Sequence, residues 1–229
     1  MAEAYERARP LYAVEALEWL QERLPLRRVV DVGAGTGKLT RQLSAIGADV
    51  AAVEPDEEMR AVFARVLPEI ELLAGSAEEL PLADSSVDVA TAAQAFHWFD
   101  LPRALPELHR VIRPGGGVAV IWNEWDDDDE LMRSLNEIVK RRRPTEIVNS
   151  WVEHPLSGSL LFENRELRKF VHMETIDTDT VVERVSSVSA IVNLPGEERE
   201  RVLGGVRALF GEGPVRFRLV TITAVADRA

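Results

Sequence analysis

Short apolar runs alternate along the first half of the chain with segments whose apolar residues recur at helical spacing. The runs, each short enough for a buried strand, are Val29–Asp31, Asp49–Glu54, Ile70–Ala74, Val87–Ala93 and Val118–Trp122. The segments with helical spacing are Val14–Leu24, Leu39–Ile46, Met59–Val66 and one that ends near Ile112. Strands that alternate with helices predict an α/β fold whose parallel sheet is covered on both faces.

One boundary in this half depends on a proline. Pro106 has no N–H group and fits poorly inside a helix, whereas the first helical position tolerates it. We therefore expect a turn after Phe99 and a helix that begins at Pro106.

The last hundred residues predict a helix, a strand, two more helices and a final strand. The acidic run Asp126–Glu130 and the basic run Lys140–Arg143 flank apolar residues at helical spacing, and Pro144 follows. Acids near the start of a helix and bases near its end complement the helix dipole, which favours a helix over a metal or anion site. The remaining predicted elements are an irregular strand over Arg165–Ile176, helices over Asp177–Val192 and Pro195–Phe210, and a β-branched, alternating strand over Val215–Ala226.

The first strand leads into three alternate glycines, Gly33, Gly35 and Gly37, in the sequence V-V-D-V-G-A-G-T-G-K-L-T. Glycine has no Cβ, so the backbone can adopt unusual conformations and a ligand can approach it closely. The N–H groups at the start of the following helix face such a ligand. This pattern predicts a ligand-binding loop more strongly than an ordinary turn between a strand and a helix.

Two nucleotide-binding patterns fail at this loop. A phosphate loop, G-x-x-x-x-G-K-[ST], would need glycine at Val32 and a hydroxyl residue at Leu39. The dinucleotide pattern G-x-G-x-x-G, counted from Gly33, would need glycine at Lys38. The pattern that remains is D-x-G-x-G-x-G, which begins at Asp31.

The amino-acid composition limits the classes of molecule that the protein is expected to bind. The 229 residues carry a formal net charge of −12, whereas a protein that binds nucleic-acid phosphates needs a basic face. No cysteine is present, which excludes disulfides and thiol nucleophiles. The first residues lack an apolar signal core, and no stretch contains 18 consecutive apolar residues. We therefore expect a cytoplasmic protein with neither a nucleic-acid nor a membrane partner.

Polar residues follow three further strands. Glu54 ends the second strand, 21 residues after Gly33, where an acid can accept hydrogen bonds from both hydroxyls of a ribose. That spacing suits NAD as well. Ser76-Ala77-Glu78 lies in the loop after the third strand, and Gln94 follows the fourth. The segment I-R-P-G-G-G, residues 112–117, precedes the fifth strand.

These motifs together resemble those of class I S-adenosylmethionine-dependent methyltransferases over residues 28–123. The matching segments are D-V-G-A-G-T-G, V-E-P-D-E-E-M, G-S-A-E-E-L-P and I-R-P-G-G-G. A-E-A-Y-E-R-A-R-P and A-F-H-W-F-D are similar to the small-molecule branch that includes trans-aconitate methyltransferases. The resemblance implies a doubly wound, mostly parallel seven-stranded sheet of order 3-2-1-4-5-7-6, with only the last strand antiparallel. It implies a single domain, in which an N-terminal arm and helix (1–25) precede the cofactor-binding core (28–123), a helical lid with the sixth strand (124–214) and the last strand (215–227).

The resemblance also implies which residues hold S-adenosylmethionine and its product S-adenosylhomocysteine. The loop Gly33, Ala34, Gly35, Thr36 and Gly37 would lie against the methionine part, with Asp31 orienting it directly or through water. Glu54 would hold the ribose, Pro55 and Met59 would flank the adenine, Ser76, Ala77 and Glu78 would meet its edge, and Gln94 would lie near the methionine. No metal is expected.

The acceptor site is less defined by the sequence. We predict acceptor contacts from Tyr5, Arg9, His97, Trp98 and Trp122. His97 lies just past the fourth strand among aromatic residues and is the candidate catalytic residue, either as a general base or as a positioning group. Tyr5 and Arg9 either cap the pocket or merely pack on the domain, and Trp122 either lines the pocket or belongs to the core.

The predicted function is methyl transfer to a small molecule through a carboxylate, hydroxyl or amine. The motif [DNS]-P-P-[YFW], typical of amino-group methylation on bases, is absent after the fourth strand. Two alternatives remain open: an NAD-dependent oxidoreductase, and a catalytically silent regulatory protein that binds the cofactor. A comparison of NADH binding with S-adenosylhomocysteine binding tests the oxidoreductase alternative. Cofactor binding without turnover would identify the regulatory protein.

Overall fold

A computed structural model of the protein describes residues 2–140 and 155–229. Within them the strands are β1 Arg28–Val32, β2 Asp49–Glu54, β3 Glu71–Ala74, β4 Val87–Ala93, β5 Ile112–Trp125, β6 Phe162–Asp177 and β7 Pro214–Arg228. They form one sheet in the order β3-β2-β1-β4-β5-β7-β6. β7 is antiparallel to β5 and to β6, and the pairs from β3 to β5 are parallel. The predicted order and the antiparallel last strand are confirmed.

Helices flank the sheet on both faces. They are α1 Ala2–Ala8, α2 Val14–Arg23, α3 Lys38–Ala45, α4 Glu57–Val66, α5 Leu101–Val111, α6 Glu130–Lys140, α7 Thr178–Ser186, α8 Ser189–Val192 and α9 Gly196–Phe210, with a 3₁₀ turn at Phe96–Trp98. None of these helices is both long and apolar enough to cross a membrane.

Alternate residues of the central strands enter two separate cores, as the period-2 geometry of a strand requires. On β1, Val30 packs in the cluster that contains Leu108 of α5. Its neighbour Val29 packs in the cluster that contains Leu20 of α2 and Leu43 of α3. The two cores cover opposite faces of the sheet. The polar residues at the carboxyl ends of the strands lie outside both cores.

A third apolar cluster lies at the carboxyl end of β5. Residues of α6, α7 and α9, including Leu135, Val181 and Val206, pack there against the first half of β7 through Phe217. This cluster forms the body of the predicted helical lid. The lid cluster packs against β7 and therefore belongs to the same sheet as the other two clusters.

Several predicted boundaries differ from the structure. β5 begins at Ile112 and so includes I-R-P-G-G-G, which was predicted to precede it, and the helix predicted over Asp177–Val192 is divided into α7 and α8. α5 begins at Leu101 and continues through Pro106. Pro106 leaves the carbonyl of Pro102 without its helical hydrogen bond, a loss that costs about 3 kcal/mol in an isolated helix. Burial of Ala104 and Leu108 on the same helix offsets it.

Two further corrections concern chain segments rich in polar residues. Residues 2–8, expected as an arm, form α1. The acidic run lies mostly before α6: Asp129 accepts a hydrogen bond from the N–H of Met132 at 3.0 Å and caps the helix, which begins at Glu130. The predicted basic end of α6 and Pro144 lie outside the described residues beyond Lys140.

Candidate functional site

Asp31 is a fully buried acid near the carboxyl end of β1. Its carboxylate accepts hydrogen bonds from the hydroxyls of Thr40 at 2.6 Å and Thr91 at 3.0 Å. Burial raises the pKa of Asp31 to about 6, although the two hydroxyls act in the opposite direction. With one threonine on each oxygen, Asp31 ties β1 to α3 and β4. Its predicted role, to orient the methionine part of the ligand directly or through water, stays a prediction.

Asp31 also makes the stability of the fold depend on pH. Because its pKa is higher in the folded state, the stability it contributes is complete below about pH 4 and is lost as the pH rises through 6. Relative to Asp31→Asn, the wild type should therefore lose about 1–3 kcal/mol of unfolding free energy between pH 4 and 7. Urea unfolding of both proteins across this range measures the difference. A constant difference at all pH values would contradict the prediction.

The glycine loop connects β1 to α3. Gly33, Gly35 and Gly37 all have positive φ angles, of 69°, 57° and 88°, and Gly37 is the N-cap residue of α3. The N–H of Gly33 donates to the carbonyl of Val53 at 2.8 Å, which fixes the loop against β2. A Cβ built on Gly35 would meet no atom within 4 Å. The open side of the loop is therefore at its central glycine, where a ligand can approach the backbone.

Glu54 lies beside that open glycine at the carboxyl end of β2 and is 6% exposed. One carboxylate oxygen accepts from the N–H of Gly35 at 2.8 Å, and the other accepts from the N–H of Asp56 at 2.9 Å. Each oxygen has a second lone pair available for a ligand donor. The predicted ribose-binding acid is thus held in a fixed orientation against the glycine loop.

The predicted adenine-side residues occupy the loops after β2 and β3. Pro55 is exposed, Met59 is half-buried, and the N–H of Met59 donates to Asp56, which caps α4. Ala77 is buried at 3% exposure. The Glu78 carboxylate accepts from the N–H of Asp100 at 2.9 Å and so joins this loop to the start of α5.

Ser76 supports Glu78 within the same loop. Burial alone would raise the pKa of Glu78, but hydrogen bonds from the Ser76 hydroxyl and the N–H of Asp100 more than offset burial and lower it. Glu78 is therefore a fixed carboxylate at the edge where the adenine was predicted to lie.

Gln94 leaves β4 with a backbone conformation that is rare for a residue with a side chain, at a φ of 55°. Its N–H donates to the carbonyl of Ile121 at 2.9 Å, and its side-chain amide donates to the carbonyl of Asn123 at 3.0 Å. Strained backbone of this kind persists where the surrounding contacts enforce it, often at functional sites. Here both contacts come from β5, so Gln94 lies between the carboxyl ends of β4 and β5.

The α1 helix covers the glycine loop, which the sequence did not predict. Glu6 accepts from the Thr36 hydroxyl at 2.6 Å and from Arg41 at 2.6 Å, and Lys38 lies 3.7 Å away. On the same helix, burial raises the pKa of the Tyr5 phenol; Arg9 opposes this, and Glu54 acts in the same direction as burial. Tyr5 therefore lies within electrostatic range of the candidate ribose acid.

Glu6→Gln should loosen α1, because the amide cannot match two charge-assisted contacts at a mostly buried position. We expect trypsin to cleave the Arg7–Ala8 bond roughly tenfold faster, since this change corresponds to about 1.4 kcal/mol of docking free energy. Glu3→Gln is the matched control. Its partner Arg65 is exposed, so the cleavage rate should stay within about twofold. Equal rates for both variants would show that Glu6 does not hold the helix.

A cavity lies next to these residues, beyond the carboxyl ends of β4 and β5. Its wall comes from the segment after α1, the two strand ends, the lid and β7: Arg9, Pro10, Gln94, Asn123, Glu124, Trp125, Arg184, Val188 and Leu219. Of the predicted site residues, the structure brings Arg9 and Gln94 to this wall. The other seven residues of the cavity wall were not predicted from the sequence, because they are distant in sequence and come together only in the folded chain.

Three predicted acceptor residues lie elsewhere. His97 is exposed on the 3₁₀ turn with its ring 4.9 Å from that of Trp98, and Trp98 is 72% exposed. Neither lines the cavity. Trp122 is 2% exposed and belongs to the core cluster on the α5 side of the sheet, whereas Trp125, three residues later, lines the cavity. In the described part of the chain, no cluster of three or more histidines and acids is suited to a metal ion.

The sheet order, the antiparallel seventh strand and the glycine loop beside a strand-end acid define a Rossmann-like methyltransferase fold. The methyltransferase domain family matches residues 30–120. The chain is 40% identical over 213 residues to the uncharacterised methyltransferase Rv3342 of Mycobacterium tuberculosis, covering 92% of this chain and 84% of the relative. It is 32% identical over 206 residues to an uncharacterised methyltransferase-like protein, C25B8.10, of Schizosaccharomyces pombe, covering 86% and 79%.

A solved structure has the same fold over nearly its whole length. It is that of a candidate type II methyltransferase from Anaeromyxobacter dehalogenans, with a TM-score of 0.73, 28% identity and coverage of 96% of this chain and 97% of that one. The protein therefore belongs to the class I S-adenosylmethionine-dependent methyltransferases. The family relationship favours the methyltransferase prediction over the NAD-dependent alternative.

Proposed function

We propose that this protein transfers a methyl group from S-adenosylmethionine to a small-molecule acceptor. The observation that carries the proposal is the Glu54 carboxylate, fixed by the N–H groups of Gly35 and Asp56 beside the open face of the glycine loop. Its free lone pairs are matched to the two hydroxyl donors of a ribose. We place the acceptor on the side of the small cavity beyond β4 and β5, next to Gln94.

The residues present fit this cofactor. Gly35 leaves room for close approach, and Glu54 offers buried acceptors that need no reorganisation. Met59 and Ala77 would flank the adenine, and Gln94 would lie near the methionine part. Asp31 would act through Thr40 and Thr91 by holding the loop in place. When bound, S-adenosylmethionine supplies a methyl group already activated on a sulfonium.

The protein's contribution is then mainly orientation and the exclusion of water. Holding two reactants in line can supply several kcal/mol of the barrier reduction. Glu6 on α1 contacts Thr36 of the glycine loop, while Arg184 and Val188 of the lid form part of the cavity wall. A carboxylate acceptor needs no general base, whereas a hydroxyl or amine acceptor would need one.

The narrower assignment, to the small-molecule branch that includes trans-aconitate methyltransferases, is part of the same proposal. It is based on the similarity of A-E-A-Y-E-R-A-R-P and A-F-H-W-F-D to that branch. A cytoplasmic location is also part of the proposal. His97 would reach an acceptor only if the 3₁₀ turn moved towards the cavity.

Two measurements test the proposal. Calorimetry should show that S-adenosylhomocysteine binds and that NADH does not. Incubation with S-adenosylmethionine labelled in its methyl group, together with a small-molecule fraction below about 1 kDa from a cell extract, should move the label into that fraction. Binding of NADH alone would overturn the proposal. Binding of S-adenosylhomocysteine without transfer of the label would favour a silent cofactor-binding protein.

A further inference from the structure

The Thr221 hydroxyl is contacted by groups from three other parts of the chain. Thr221 lies on β7 and is fully buried. The N–H of Ala13 donates to its Oγ1 at 2.9 Å, the Oδ1 of Asn123 on β5 lies 2.5 Å from it, and the Nε2 of His172 on β6 lies 3.2 Å from it. A hydroxyl offers one proton and two lone pairs, so these three contacts use its whole hydrogen-bonding capacity.

The directions of these hydrogen bonds follow from the Asn123 amide. Its nitrogen donates to the carbonyl of Leu11 at 2.9 Å, so its oxygen faces Thr221 and can only accept. The Thr221 proton therefore goes to Asn123. His172 must then donate from Nε2, which carries a proton both in the neutral Nε2–H tautomer and in the cation. The network thus has the same arrangement whether His172 is neutral or charged.

The side chain that this network orients belongs to the cavity wall. Asn123 lines the cavity, and its backbone carbonyl accepts at 3.0 Å from the side-chain amide of Gln94, another residue of that wall. An amide nitrogen carries two N–H groups, and among residues 2–140 and 155–229 only Leu11 accepts from that of Asn123. One N–H donor is therefore left for a ligand, on a side chain that Leu11 and Thr221 hold in place.

We propose that Asn123 donates its remaining amide N–H to an oxygen atom of the acceptor molecule, and that Thr221, backed by His172, positions it for this contact. The ligand group is an oxygen that accepts a hydrogen bond, as a carbonyl, carboxylate or ether does. A donor that is already fixed loses little freedom on binding, so it contributes more than a mobile one. The inference rests on the proposed function, which brings an acceptor molecule to this cavity.

Thr223 provides a comparison within the same strand. It lies two residues after Thr221 on β7, on the same face of the sheet, and is also fully buried. Its hydroxyl has no hydrogen-bond partner among the described residues. Thr223→Val therefore removes a buried hydroxyl without changing the network. Thr221→Val removes the acceptor of the Ala13 N–H and the donor to Asn123.

The test uses S-adenosylmethionine labelled in its methyl group with serial dilutions of the small-molecule fraction, and measures the amount of fraction that gives half the maximal rate. Asn123→Ala and Thr221→Val should each raise this amount about threefold to tenfold, as the loss of one hydrogen bond does. Thr221→Ser, which keeps the hydroxyl, and Thr223→Val should stay near the wild-type value. Calorimetric affinity for S-adenosylhomocysteine should be unchanged in all four variants, because the contact is with the acceptor molecule.

Thermal melts show which variants are folded at the assay temperature. A wild-type half-saturating amount in folded Thr221→Val would overturn the inference. Equal losses of affinity for the fraction and for S-adenosylhomocysteine would also overturn it, because they would indicate a purely structural network.

A readout that does not depend on activity separates this inference from the proposed function. If the wild type transferred no label, the proposed function and the contact with an acceptor would both fail. The side-chain amide protons of Asn123, observed by ¹H–¹⁵N NMR, would still decide whether Thr221 positions this residue. They should exchange with solvent faster in Thr221→Val than in Thr221→Ser or Thr223→Val, and equal exchange rates would exclude the positioning role.

Discussion

Glu54→Ala should weaken the binding of S-adenosylhomocysteine at least tenfold while the protein stays folded. The carboxylate is held by the N–H groups of Gly35 and Asp56, and each oxygen keeps a lone pair that could accept from a ribose hydroxyl. Hydrogen bonds to a charged group contribute about 1.5–3 kcal/mol. Calorimetry with S-adenosylhomocysteine measures the loss. A thermal melt of the variant shows that the fold is retained.

Glu54→Gln provides the graded comparison. Its amide oxygen can accept from one of the two backbone N–H groups and one ligand hydroxyl, so its affinity should lie between wild type and Glu54→Ala. Glu57→Ala, an exposed position three residues later at the start of α4, should bind as the wild type does. Wild-type affinity in folded Glu54→Ala would remove the ribose assignment and, with it, the observation on which the proposed function depends.

Gly37→Ala should destabilise the fold by about 2–5 kcal/mol. A Cβ there would lie 2.5 Å from the Cδ1 of Leu67 and 2.9 Å from the Cε2 of Phe63, in a core contact that cannot move freely. Overpacking contributes about 1–3 kcal/mol and the left-handed backbone conformation about 1–2 kcal/mol. Chemical denaturation measures the change.

Gly35→Ala is the matched variant on the same loop. Its φ is also positive, but its Cβ would meet no atom within 4 Å, so the loss of stability should be only about 1–2 kcal/mol. Cofactor affinity should instead fall, because the added methyl group occupies the side from which the ligand approaches. Similar stability losses in the two variants would show that the contacts with Phe63 and Leu67 do not matter.

Local patterns were sufficient to predict most of the sheet. The apolar runs at Val29, Asp49 and Val87 correspond to strands because burial on both faces requires continuous apolar sequence, and the strand order followed from the resemblance. The helix start predicted at Pro106 was wrong because the stability of a helix includes its packing, and burial along α5 outweighs one missing hydrogen bond. A local sequence pattern does not report this packing energy.

The candidate site also has parts that local patterns predicted and parts that they did not. The glycine loop and Glu54 are defined by short-range spacing, and the structure brings them together. The contact between Glu6 and Thr36 joins residues 30 positions apart, and the Arg9 contact with Ser187 spans 178. Charged residues on a short polar helix give no signal of such partners. His97 was named the candidate catalytic residue for its place among aromatic residues after the fourth strand, but the 3₁₀ turn leaves it exposed.

The contacts of α1 extend in two directions, to Thr36 on the glycine loop and through the carbonyl of Ala8 to Arg184 at 2.7 Å on the lid. Docking of this seven-residue helix is thus one equilibrium shared by both halves of the site. Two ligands that each favour the docked helix raise each other's affinity by the same factor, as thermodynamic reciprocity requires. Under the proposed function, retention of the methyl donor and capture of the acceptor would be cooperative events, linked through α1.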